Sequence, residues 1–230
     1  MNPKQEIKLP DRMNTFLTSE HFTLQSARGI VNGEISSRVT ICFTTLSSVI
    51  IASAFVAQIP EMNQIFLLIG SIAFPLIIVL GFYTAVRLGV LSGMDAMYIR
   101  GINRIRQFYI QSAAEVEQFL LFPPHDDDRS NRIYGGWSPA SLRDNLLSAA
   151  NAVVTSNSIV ITVLVGVLAS GYFTISYFQF LPIGIIVFVA SCFLHYLFAI
   201  LLVRPQFQVD VYMEARFPAV TSKEKKSPGG

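Results

Sequence analysis

The sequence predicts an all-α membrane protein with four transmembrane helices arranged as two hairpins, the second and third helices extending into a cytosolic helical layer. Three observations carry this. Four apolar runs approach or exceed the ~20 residues that a helix needs to cross a bilayer. Charged residues make up 14% of the 230, against about 25% in a soluble domain, and the mean hydropathy is +0.49. All 17 Lys and Arg fall outside the apolar runs, in three segments only.

Residues 1–38 form the N-terminal segment, polar and mixed with no membrane-length run; no small-residue cleavage pattern follows the first apolar run, so a secretory signal is not expected. Within it HFTLQSARGIVNGEISSR sets Phe22, Leu24, Ile30, Val31 and Ile35 among polar residues. That pattern predicts an amphipathic helix, weakened by Gly29 and Gly33, which packs as a lead-in or lies in the lipid interface. The first hairpin is 39–85. Its first span, VTICFTTLSSVIIASAFVAQI, is uncharged; PEMNQ links it to a second span from Ile65 to Ala85 with Pro75 in the middle. Proline removes a backbone donor, so a kink is expected there.

Helical sequence then continues past the second span to Phe122, before Pro123-Pro124, as one long helix or two with a hinge. Unbroken, residues 65–122 would extend about 85 Å at helical rise. Along this stretch Leu88, Leu91, Asp95, Tyr98, Ile102, Ile105 and Tyr109 recur at steps of three and four, a heptad-like seam. Asp95 is the odd member: a charge at a seam position costs stability but fixes register or pairs across a subunit contact. Arg100, Arg104 and Gln107 share one flank, with Arg106 opposite, and suit acidic lipid headgroups, Glu115 and Glu117 of a neighbour, or an acidic partner patch.

Region 86–148 also contains PPHDDDRSNRIYGGWSP, at 123–139, whose prolines and glycines mark a loop. The run His125-Asp126-Asp127-Asp128 lacks the spacing of a calcium loop and reads as solvated. Ser138-Pro139 has the form of an N-cap followed by proline at the first helical position. The second hairpin, 149–203, has a third span at Ala149–Phe173, the link TISYFQF, and a fourth span at Leu181–Val203. In the tail, 204–230, FQVDVYMEARF alternates and favours a short strand over a helical turn, and TSKEKKSPGG is expected to be disordered.

The cations give the orientation. Lys4, Lys8, Arg12, Arg28 and Arg38 precede the first span. Arg87, Arg100, Arg104, Arg106, Arg129, Arg132 and Arg143 lie between the second and third. Arg204, Arg216, Lys223, Lys225 and Lys226 follow the fourth. The remaining two links have none, so both termini and the middle region are expected in the cytoplasm.

Two polar stripes run along predicted spans. In the third, Asp144, Ser148, Asn151, Thr155, Ser158 and Thr162 lie on one helix face; in the first, Ser37, Thr40, Thr44 and Ser47 do. Polar groups in lipid need partners, so each stripe faces either a hydrogen-bonded helix interface or a water-filled pore. His195 lies about 12 Å from the cytosolic end of the fourth span by helix rise. At that depth it is either a proton relay or gate, or a neutral imidazole bonded to a neighbouring Ser, Thr or Tyr.

Catalytic signatures such as G-x-S-x-G, H-E-x-x-H or a phosphate-binding glycine loop are missing from the sequence, and no span holds a carboxylate, so an enzyme is not expected. Nothing calls for a cofactor or metal, and Cys42 and Cys192 both sit in apolar runs. A net charge of +2 gives no argument for nucleic acid.

Two stretches, FTLQSARGIVNGEISSRVTICFTTLSSVIIASAFVAQ and VRLGVLSGMDAMYIRGINRIRQFYIQSAAEVEQFLL, together resemble an uncharacterised family of small four-span bacterial membrane proteins of actinobacterial type. The resemblance covers about residues 20–125. It implies a bacterial inner membrane and a four-span layout, and transfers no activity or ligand residue.

The expected function is that of a non-catalytic membrane module, homo-oligomeric, whose cytosolic helices mediate assembly or dock a cytosolic protein. The alternatives are a small oligomeric channel or membrane-permeabilising effector lined by the third-span stripe, and a proton-coupled transporter using His195.

Overall fold

The computed structural model describes residues 9–59, 63–134, 148–173, 177–207 and 214–218. Its helices are α1 (Leu9–Ala57), α2 (Asn63–Ser112), a 3-10 turn (Ala114–Phe119), α3 (Asp128–Tyr134), α4 (Ala149–Phe173) and α5 (Tyr177–Phe207). No strand occurs among the described residues. Four helices, α1, α2, α4 and α5, are long and apolar enough to cross a membrane. The fold is therefore all-α, with the layout of a multi-pass membrane protein.

α1 is one helix of 49 residues, joining the amphipathic lead-in to the first apolar run without a break. Its last turn tightens through hydrogen bonds from the Gln58 N–H to the Phe55 carbonyl and from Ile59 to Val56, both 3.2 Å. Pro60 follows in the sequence and has no N–H with which to continue.

α2 has 50 residues and continues through Pro75, which removes the helical donor for the Ser71 carbonyl. It ends at Ser112 rather than Phe122. There the Ser112 hydroxyl donates to the Phe108 carbonyl at 2.9 Å, and Ala113 adopts extended backbone. Residues 113–122 are good helix formers, so propensity alone does not stop the helix. Tertiary contacts require the turn: the returning chain brings Phe122 to Arg106, His125 to Asn103 and Asp128 to Arg100. α3 then starts where the Asp127 carboxylate caps the Ser130 N–H at 2.7 Å.

The expected third-helix start near Pro139 and the TSKEKKSPGG tail lie outside the described residues. Of the alternating piece before them, 208–213 also lie outside, and 214–217 form bends and coil, not a strand.

The chain divides into two compact units. The first comprises Met1–Asn32, Gly93–Ser141 and Asp210–Gly230; the second comprises Gly33–Ser92 and Leu142–Val209.

In the second unit, α1, α2 and α4 meet in two apolar clusters. One gathers Cys42, Ala85, Leu88 and Val153; the other gathers Phe74, Ile77 and Val160, with Leu46 and Val49 packed on it. α4 and α5 pack along one another. Two glycines let the Phe180 ring between them: a Cβ on Gly166 would meet it at 2.8 Å and one on Gly184 at 3.1 Å. Outward, Ile50, Ile51, Phe55, Ile72, Leu76, Val79, Ile185, Ile186 and Val189 stay exposed, as lipid-facing side chains do.

In the first unit the core is mixed. Ile99, Ile102 and Ile105 are buried, together with Arg100, Asn103, Asp126, Ser130 and Asn131.

Candidate functional site

The second unit holds a buried polar cluster inside its apolar helices. His195 on α5 and Asn157 on α4 are the pair at its centre, with the Asn157 Nδ2 and the His195 Nε2 2.9 Å apart. His195 Nδ1 lies 2.8 Å from the Ser191 carbonyl. A carbonyl only accepts, so Nδ1 is the donor to Ser191 and Nε2 accepts from the Asn157 amide. The Asn157 amide also donates to the Ile78 carbonyl of α2 at 3.1 Å, so one side chain links three helices. Phe82 covers the imidazole at a centroid distance of 5.7 Å and in turn meets Phe198 edge-on at 5.2 Å.

Gly81 makes room for this arrangement. A Cβ there would stand 2.5 Å from the Asn157 Oδ1, which is itself buried without a hydrogen-bond partner. The amide oxygen is thus pressed against the backbone of α2, where only glycine fits.

Of the third-span stripe, Asp144 lies outside the described residues, and the five from Ser148 to Thr162 do not face a single environment. Ser148 caps α4, its hydroxyl oxygen accepting the Asn151 N–H at 3.2 Å. Asn151 is half-buried and Thr155 is exposed. Ser158 is fully buried and accepts from the Ser191 hydroxyl at 3.0 Å, while Thr162 donates back to the Ser158 carbonyl at 2.8 Å. The first-span stripe is different: Ser37, Thr40, Thr44 and Ser47 are all exposed. Only 6% of the apolar window of α1 is buried, the least of the four.

The seam residues face the chain's own interior. Leu88 and Leu91 are buried in the second unit, Ile102 and Ile105 in the first. Asp95 is held by Arg28 of α1, Nε at 2.7 Å and Nη2 at 3.2 Å. Tyr98 and Tyr109 are half-buried, and the Tyr109 hydroxyl meets Thr18 at 3.2 Å.

The basic flank of α2 is also engaged internally. Arg100 donates to Asp128 at 2.6 Å, and Arg104 donates to Asp126 at 2.8 Å and to the Glu214 carbonyl at 2.6 Å. Asp126, expected in a solvated loop, has no exposed surface. Its carboxylate accepts the backbone N–H groups of Arg216 and Phe217 at 3.0 and 2.8 Å. Burial pushes this carboxyl up, but Arg104 and the two backbone donors outweigh it and hold the group below the usual carboxylate range. The segment 214–217 is thereby tied down by backbone contacts.

At the start of the first apolar run and the end of the second, Glu34 joins two arginines. Its Oε1 accepts from Arg38 Nε at 2.7 Å and from Arg87 Nε at 2.9 Å; its Oε2 accepts from Arg87 Nη2 at 3.0 Å. The Arg38 guanidinium also lies 5.6 Å over the Tyr83 ring.

The sequence pattern marks His195, Ser158 and Thr162 but not Asn157, Gly81 or Ser191. Asn157 falls one position off the Ser/Thr stripe, and its proper partner, a glycine 76 positions earlier, has no local signature. The Glu34–Arg38–Arg87 cluster had a partial signal, since Glu34 and Arg38 are one helical turn apart.

No family model, no curated protein and no solved structure matches this chain.

Proposed function

We propose that the chain is a non-catalytic, multi-pass membrane module that self-associates through the exposed face of α1. The observation that carries this reading is the first-span stripe. Thr40, Thr44 and Ser47 stand on the outside of the single chain within an apolar run, where hydroxyls gain nothing from lipid. Small polar residues let helix backbones approach closely, and a two-fold contact between copies uses the same face on both sides. The seam is a poor docking surface because it is already covered. The first unit instead offers Phe16, Phe22, Phe119 and Leu121, exposed at 65–88%, as further contact residues for a copy.

The distribution of Lys and Arg supports a cytoplasmic first unit and cytoplasmic termini. The resemblance to small four-span actinobacterial proteins supports a bacterial inner membrane.

Disulfide cross-linking in native membranes tests the assembly. In a Cys42→Ala, Cys192→Ala background, Thr40→Cys and Thr44→Cys should give dimers on mild oxidation, and Ile72→Cys on the lipid-facing side of α2 should not. Monomer from both α1 positions would overturn the reading.

One observation favours a second reading, a channel around an oligomer axis: Thr155 of the third-span stripe is exposed within an apolar run. Conductance in planar bilayers that changes in Thr155→Val would support it over a purely structural assembly.

A further inference from the structure

We propose that Arg38 and Arg87, set side by side by Glu34, form a binding site for the phosphate of an anionic membrane lipid. The two Nε atoms reach the same carboxylate oxygen, at 2.7 and 2.9 Å, so the guanidinium groups are neighbours by construction. One carboxylate between two guanidinium groups leaves a net charge of +1. Hydrogen bonds from Arg87 and then from Arg38 hold the Glu34 carboxyl down at about 2, so that charge does not vary over the physiological range.

Several donors remain. Arg38 uses only Nε and Arg87 only Nε and Nη2 toward Glu34. The Nη groups of Arg38 and the Nη1 of Arg87 donate to no described residue. Both side chains keep access to the outside, at 29% and 34% exposure. Paired guanidinium groups match the oxygens of a phosphate with parallel N–H donors, and their planar fork does so better than lysine.

The position selects a lipid over a free anion. Arg38 stands directly before the apolar run that begins at Val39, and Arg87 stands just after the run that ends at Ala85. Both therefore lie at one edge of the apolar zone. Tyr83, exposed beside Arg38, is of the kind that gathers at a membrane–water boundary. From Arg87 the outer face of α2 continues through Tyr83, Val79, Leu76 and Ile72, all exposed. That track accommodates an acyl chain below a headgroup held by the arginines, and inorganic phosphate has no use for it.

The inference rests on the four-span reading but not on self-association, so a failed cross-link leaves it standing. The test uses the full chain reconstituted in phosphatidylcholine bilayers, with spin-labelled phosphatidylglycerol and phosphatidylcholine as probes of the lipid shell. Wild type should prefer phosphatidylglycerol several-fold. Arg38→Gln/Arg87→Gln should lose the preference. Glu34→Gln/Arg38→Gln/Arg87→Gln, which leaves no stranded carboxylate and so guards against misfolding, should lose it too. Arg129→Gln/Arg132→Gln, which removes exposed cations of the first unit, should retain it. Equal preference in wild type, or a preference that survives the triple substitution, would overturn the site. Displacement of labelled phosphatidylglycerol by millimolar inorganic phosphate at constant ionic strength would overturn the choice of lipid as ligand.

Discussion

Asp95 on α2 takes two hydrogen bonds from Arg28 on α1, at 2.7 and 3.2 Å, across 67 positions of sequence. The side chains are only 19% and 16% exposed. The one carboxylate in the apolar seam is therefore answered within the chain, and the pair fixes the register of the two helices in the first unit.

Breaking that pair should be costly. With either partner changed, the two hydrogen bonds between them are lost at a half-buried place, at a cost of about 1–3 kcal/mol. Asp95→Asn and Arg28→Gln should each lower the melting temperature of the detergent-solubilised protein by several degrees. The exchange Arg28→Asp/Asp95→Arg should be more stable than the sum of its own singles, Arg28→Asp and Asp95→Arg, allows, and additive effects across that cycle would refute a direct coupling.

The seam itself should matter for folding and not for assembly. Ile102 has no exposed surface. Truncating it leaves a cavity at a cost of about 2–5 kcal/mol. Ile102→Ala should thus be markedly less stable, while the fraction that folds keeps the cross-linking pattern of Thr44→Cys. Loss of cross-linking with stability unchanged would place the seam at a subunit contact.

The spans were legible because lipid imposes one rule on every residue of a crossing helix: apolar run, adequate length, no free charge. That rule is local, and it located α1, α2, α4 and α5. What it missed depends on pairs far apart in the chain. The three aspartates at 126–128 read as a solvated loop because the partners of Asp126 lie 22 and about 90 positions away. The end of α2 at Ser112 was missed for the same reason, since the turn serves contacts made by residues after it. The polar stripes were visible as faces, but which face looked inward depended on the neighbouring helices.

Asp126 gives a pH dependence with a definite sign. Its folded carboxyl titrates below the ordinary value. A group shifted in that direction stabilises the fold fully above its unfolded pKa of about 4 and ceases to do so as pH falls through the folded value. The amides of Arg216 and Phe217, which donate to this carboxylate, should be protected from hydrogen exchange at neutral pH and lose protection under strongly acidic conditions. Asp126→Asn should weaken that protection already at pH 7. Equal exchange in wild type and variant would show that the segment is held by something else.

Asn157 and Gly81 should behave as a coupled pair. Gly81→Ala puts a methyl group 2.5 Å from the amide oxygen, and because that contact is with a side chain whose Nδ2 is anchored to Ile78 and His195, the asparagine cannot swing aside without dropping both bonds. Gly81→Ala should therefore destabilise the protein. Asn157→Ala removes the clash together with the two bonds, and it strands the buried His195 Nε2 without a donor, a cost of about 1–3 kcal/mol. In that background the further change Gly81→Ala should cost much less than it does in wild type. Thermal unfolding of the four proteins in one detergent measures the coupling. A Gly81→Ala penalty of the same size with or without Asn157 would mean that the glycine is needed for some other contact of α2.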